Sequence, residues 1–284
     1  MKTSAPGKLI LSGEHAVVHG CPALVTAVSR HASATVTASA DADVRFRTPF
    51  GAARFSAEDL DRRLADARAR YREFQDGGRP IAEVVPTAMD FLCLAWPLLD
   101  MPRRGAGVSL DSTIPLGSGM GSSAAVSAAL LMALSAWVGH PVDSPQCEAL
   151  SLDMERFQHG RPSGVDSFIA VHGGMARFCK GAPPKLLDPG TRTYQLVHTG
   201  TPEATTGECV EQVGAHFASD PVWDEFSAVT DDVERALRSG DQPSLVDAVR
   251  RNHRLLVRIG VVPRRVQEWI HAVEEAGGAA KVCG

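Results

Sequence analysis

Pro115-Leu116-Gly117-Ser118-Gly119-Met120-Gly121-Ser122-Ser123-Ala124-Ala125 is the stretch on which the reading of this 284-residue chain turns. Before it, Gly107 to Ser112 reads as a strand; after it, the Ala- and Leu-rich run from Ala124 to Val138 reads as a buried helix. Closely spaced glycines let a backbone approach a ligand and turn its N–H groups inward. The following helix adds the positive end of its dipole, which favours phosphate. Ser122 and Ser123 bring hydroxyls suited to phosphate or to Mg2+. No Gly-Lys-Ser/Thr closes the loop, so it is not a P-loop, and its glycine spacing is not that of the dinucleotide fingerprint. Taken alone, the stretch suits a phosphate cradle or a plain connector.

Two further segments fit the same chemistry. In Glu155…His159-Gly160-Arg161-Pro162-Ser163-Gly164-Val165-Asp166, a carboxylate near a helix end precedes a tight loop that delivers a second carboxylate. Phosphoryl transfer needs a metal ligand and a group that orients the attacking hydroxyl, and two such carboxylates can divide those roles. The plainer alternative makes Glu155 a solvated helix-face residue and Asp166 a helix cap. Near the N-terminus, Lys8 opens an apolar strand, where a charge is costly unless paired, and Glu14 and His15 follow in a glycine-flanked turn. A lysine beside Asp166 would lower that carboxylate's pKa and neutralise charge on a phosphoryl group. His15 and His19 stand four apart, but Ala16 follows the first histidine, which argues against a zincin-type zinc site. No G-x-S-x-G elbow supports a serine hydrolase.

Composition narrows the class. Hydrophobic residues make up 44% of the chain, enough for a substantial core. The formal net charge of -4 argues against nucleic acid as the main partner. Six scattered cysteines without a C-x-x-C pair read as reduced thiols. No apolar run reaches membrane-spanning length, and the N-terminus lacks a leader-type core, so a cytoplasmic protein without membrane contact is expected.

Strands are expected at 8–11, at 23–28 (or a helix start), within 32–55, at 107–112, at 173–178 and at 192–198. Helices are expected at 57–74, 81–98, 124–138, 144–157, 206–218, 224–238, 242–258 and 264–276, with Ser144 as N-cap and Pro145 at the first helical position. The Pro- and Gly-rich segment 180–190 is the candidate linker.

Together, Ala5-Pro6-Gly7-Lys8 through Gly13-Glu14-His15 to Gly20, Pro115 to Ala125, and Glu155 with His159 to Asp166 resemble the GHMP kinases, most closely their mevalonate kinase branch. Thr199 to Thr205 and Asn252 to Val261 are weaker matches. The resemblance implies a two-domain α/β (α+β) fold with a cleft active site. Residues 1–183 would form a ribosomal-S5-like N-terminal domain and 184–284 a ferredoxin-like C-terminal one. It implies ATP and Mg2+ as cofactors, with Gly117, Ser118, Gly119, Gly121, Ser122 and Ser123 on the phosphates and Ser123 and Glu155 on the metal. Asp166 would be the catalytic base or orienting group, with Lys8 paired to it. Glu14, His15 and Thr205 would bind the small-molecule substrate, mevalonate before phosphomevalonate, a sugar or another hydroxy acid. A homodimer is common in such a family. Ser167, Val126, Ala204 and Thr206 depart from the family's usual residues and bear on acceptor choice. Ala279 to Gly284 resembles the opening of a third, glycine-rich motif, so the family's final elements are expected to lie beyond this sequence. A nucleotide-binding regulatory protein without turnover is the alternative of another class.

Overall fold

The structure is a computed structural model that describes residues 1–115, 117–179, 181–188, 190–200, 206–218 and 220–283; among 206–211 it describes only the side chain of Cys209. Along the chain run β1 (Lys2–Ser12), β2 (Pro22–Ala38), β3 (Val44–Thr48), β4 (Gly51–Phe55), α1 (Ala57–Gln75), α2 (Ala88–Cys93), α3 (Ala95–Leu98) and β5 (Ala106–Ser112). There follow α4 (Ser122–Trp137), α5 (Ser144–His159), α6 (Val165–His172), β6 (Met175–Cys179), β7 (Lys185–Leu187), α7 (Thr206–Phe217), α8 (Val222–Ser239), α9 (Gln242–Arg258) and α10 (Arg264–Glu275).

The described chain divides into two compact units, each drawn from three segments. One comprises 1–7, 28–116 and 121–173; the other comprises 8–27, 117–120 and 174–284. This differs from a single cut after residue 183, because an early stretch of chain packs with the C-terminal helices rather than with its neighbours in sequence.

In the first unit the strands run in the order β4-β3-β5-β2. β2 meets β5 antiparallel, with Ala34 opposite Leu110 and Val36 opposite Val108, while β3 meets β5 in parallel. Alternation puts Ala32, Ala34 and Val36 on the buried face, the period-2 signature of a half-covered strand. Helix α1 starts on a capping box, Ser56 with Asp59, and buries only Leu60, Leu64 and Ala67, as its charged sequence requires. Helix α4 is apolar nearly all round and lies against α5 and α6.

In the second unit β2 pairs through residues 22–26 with β6, which pairs antiparallel with β7. Helices α8 and α9 pack together. Their apolar stripes close a core with Leu24, Trp223, Phe226, Leu256 and Ile270.

Five expectations need correction. Segment 81–98 is not one helix: a 3-10 turn at Ile81–Glu83 precedes the short α2 and α3. Residues 192–198 form no strand: Arg192 instead donates from Nη2 to Leu237 O at 2.9 Å. Segment 180–190 carries β7, so part of the expected linker is a sheet strand. Helix α5 is capped by Asp143 in a capping box with Gln146, one residue before the expected Ser144. Helix α6 is absent from the expected helices and enters only in the alternative that makes Asp166 a cap; Gly164 holds the N-cap position, so Asp166 lies in the first turn and is not the cap. No described helix is long and apolar enough to cross a membrane.

Candidate active site

In the first unit, α4 carries Ser122 and Ser123, α5 carries Glu155 and α6 carries Asp166. Gly117, Gly119 and Gly121 all take the left-handed conformation, with φ of 65°, 69° and 66°. That conformation costs glycine little and other residues much, which explains the spacing of the loop. Gly121 is the N-cap of α4 and provides no side-chain cap. The first-turn N–H groups of α4 therefore have no side-chain acceptor at that cap, beside the half-buried Ser122 and Ser123. Leu116 lies outside the described residues.

The Glu155 side chain is 3% exposed and its Oε2 lies 3.5 Å from His159 Nε2. Burial lowers the pKa of His159, and the Asp166 charge offsets part of that. The solvent-accessible side of His159 tempers the burial effect, since the side chain is half exposed. Among the described residues no group of three or more His, Cys, Asp and Glu side chains forms a metal cage. Mg2+ that travels with nucleotide phosphates needs only one or two protein oxygens, and a buried carboxylate with a serine hydroxyl is a hard-oxygen set of that kind.

Sequence reading missed how these helices are held. Ser127 Oγ lies 2.7 Å from Ser151 Oγ, and Ser151 Oγ donates to Ser167 Oγ at 3.4 Å. All three serines are buried. Ser127 is one turn below Ser123, Ser151 one turn before Glu155, and Ser167 adjoins Asp166. The hydroxyl chain therefore links the three helices that carry the expected functional groups. It also gives Ser167, a departure from the family pattern, a structural role.

In the second unit, Lys8 is buried in β1 and its backbone N–H donates to Met120 O at 2.9 Å, joining that strand to the glycine loop. Gly13 turns the chain with φ of 88°; a Cβ there would stand 2.3 Å from Pro22 O. The turn delivers Glu14, whose side chain is 4% exposed and pairs with Lys281 at 2.5 Å. Asn252 Nδ2 donates to Glu14 Oε2 at 3.4 Å. His15 Nδ1 is buried without a hydrogen-bond partner among the described residues. Burial lowers the pKa of His15, with Lys281 and His19 acting the same way and Glu14 opposing. His19 stacks on Trp223 at 4.0 Å, and Ser12 Oγ meets Thr230 Oγ1 at 2.7 Å. Thr205 lies outside the described residues. Neither Lys281 nor Asn252 had been given a role from sequence, since partners so distant along the chain leave no local pattern.

Thiol chemistry is disfavoured at the two most enclosed cysteines. Burial pushes Cys93 up to about 12 and Cys147 up to about 11.

Burial also lowers the pKa of His253, so three histidines fold with values below the ordinary 6.5. Above that pH both folded and unfolded chains are neutral at these sites. As pH falls through 6.5 the unfolded chain takes up protons first, and stability drops until the folded pKa is reached. The slope is up to about 1.4 kcal/mol per pH unit for the well-buried His253, and less for more solvated His15 and His159. Urea midpoints measured at pH 7.5 and pH 5.5 should fall toward acid; midpoints independent of pH would contradict the assignment.

Comparison with known proteins adds a family. The profile described as the GHMP kinases N terminal domain matches residues 84–174. The chain is 30% identical over 290 residues to the mevalonate kinase of Archaeoglobus fulgidus, covering 100% of this chain and 88% of that one. Among solved structures it is similar to the Methanococcus jannaschii mevalonate kinase, with a TM-score of 0.79 at 18% identity, covering 100% of this chain and 87% of that chain. It is also similar to the L. major mevalonate kinase in complex with R-mevalonate, with a TM-score of 0.73 at 22% identity and coverage of 100% and 83%.

Proposed function

The chain belongs to the GHMP kinases, and from that premise we propose that it transfers the γ-phosphoryl group of ATP to the primary hydroxyl of mevalonate. The observation that carries the nucleotide half of this reading is the N-terminus of α4, uncapped by a side chain and preceded by three left-handed glycines. Its N–H groups and the dipole of the helix favour phosphate oxygens. Mevalonate is favoured as acceptor by the mevalonate kinase of Archaeoglobus fulgidus, similar along the whole of this chain.

In this mechanism catalysis is positioning and charge neutralisation. Gly117, Ser118, Gly119, Gly121 and Ser122 bind the phosphates through the loop and the first turn of α4. Ser123 and Glu155 would hold Mg2+, which supplies charge neutralisation across the phosphate oxygens when bound. Asp166 orients the acceptor hydroxyl and takes its proton. Lys8 stabilises negative charge on the group in transit. His15, neutral near pH 7 because burial lowers its pKa, presents the unpartnered Nδ1 to the acceptor, with Glu14 behind it. Thr205 is assigned to the acceptor on the resemblance alone.

A coupled ADP-release assay with Mg-ATP tests the reading, with mevalonate, phosphomevalonate and galactose offered separately. Turnover with mevalonate alone is expected. Turnover confined to another acceptor would replace the substrate, and nucleotide binding with no turnover on any would favour a regulatory role.

A further inference from the structure

Glu14 and Lys281 form an ion pair whose side chains are only 4% and 7% exposed. Desolvating two charges makes such a pair a poor source of stability, so its presence calls for another reason. Lys281 has three donors. Its Nζ contacts Glu14 Oε1 at 2.5 Å, Ile10 O at 3.0 Å and Val282 O at 2.7 Å. One ammonium thus joins the end of β1, the turn that carries His15, and the segment after α10. The other carboxylate oxygen of Glu14 accepts from Asn252, which is fully buried on α9. Two residues earlier in the same helix, Arg250 donates to Gly278 O and Glu274 O, holding the chain that leads to Lys281. Every partner lies within the second unit.

We propose that Lys281 and Asn252 are positioning residues for the acceptor: they hold Glu14 as a neutralised, immobile carboxylate and so fix the turn that presents His15. This rests on the acceptor reading above. Two consequences follow from the charges. A carboxylate compensated by Lys281 does not repel an anionic acceptor beside it, whereas an uncompensated one does. His15 feels both partners, Glu14 raising its pKa and Lys281 lowering it, with His19 acting as Lys281 does.

The test uses Lys281→Met, Lys281→Arg and the double variant Glu14→Gln/Lys281→Met, read by steady-state kinetics and by NMR titration of His15. Lys281→Met should raise the KM for mevalonate by about tenfold or more while the KM for ATP stays within about twofold. The His15 titration should move upward. Lys281→Arg should restore much of the mevalonate KM, and the two changes in the double variant should be non-additive. A mevalonate KM and a His15 titration both unchanged in Lys281→Met would overturn the proposal. Should that variant fail to fold, a folded double variant with wild-type mevalonate KM would overturn it equally. If the wild-type chain does not phosphorylate mevalonate, the acceptor reading fails, and the His15 titration still decides the positioning role.

Discussion

Asp166→Asn is expected to lower kcat by about 10²- to 10⁴-fold, the usual contribution of a general base, while ATP affinity stays within about twofold. Asp166 stands in the first turn of α6. Asparagine keeps the shape and the hydrogen-bonding reach but cannot accept the acceptor proton. Because Gly164 rather than Asp166 holds the cap position, the substitution leaves that end of the helix intact. Kinetics with saturating Mg-ATP, paired with calorimetric ATP binding and a thermal midpoint, separate chemistry from folding. A loss of kcat below tenfold, with the midpoint unchanged, would remove Asp166 from the proton-transfer role.

Lys8→Met should produce the next largest loss, about 10²- to 10³-fold in kcat, the scale found when one preorganised donor is removed from a transition state. Methionine preserves the apolar stem of a side chain buried in β1 and leaves the backbone N–H to Met120 O in place. The glycine loop should therefore keep its anchor, and the KM for ATP should change little. A matched fall in kcat and kcat/KM is the signature of an interaction made only in the transition state. A raised KM for ATP with kcat preserved would instead make Lys8 a ground-state phosphate ligand.

The helices after Val222 were legible because each carries a strong amphipathic period over many residues, and their ends lie within two residues of the sequence reading. Helix α6 escaped because it is eight residues long and opens on a glycine, without a Ser, Thr, Asn or Asp cap to announce it. Residues 192–198 alternate as a strand would, but alternation records a half-buried face and not a hydrogen-bonded neighbour, and no described strand pairs with them. β7 was hidden by the prolines and glycines on either side of it. In the candidate site, the glycine loop and Gly164 to Asp166 could be proposed from sequence because their residue pattern is local. The link from Glu14 to Lys281 and the link from Ser127 through Ser151 to Ser167 were not, since each joins residues that only folding brings together.

The buried serine chain has a consequence for how this sequence can change. Removing Ser151 alone takes from the buried Ser167 hydroxyl its partner, at a cost of about 1–3 kcal/mol, while Ser127 keeps its donation to Ala124 O at 3.0 Å. Replacing Ser151 and Ser167 together removes that orphan and should cost less than the two single losses added together. Drift at Ser151 and Ser167 is therefore epistatic. A lineage can give up Ser127 or Ser167 singly, because Ser151 keeps its other serine partner, but it gives up Ser151 at least cost once Ser167 has gone.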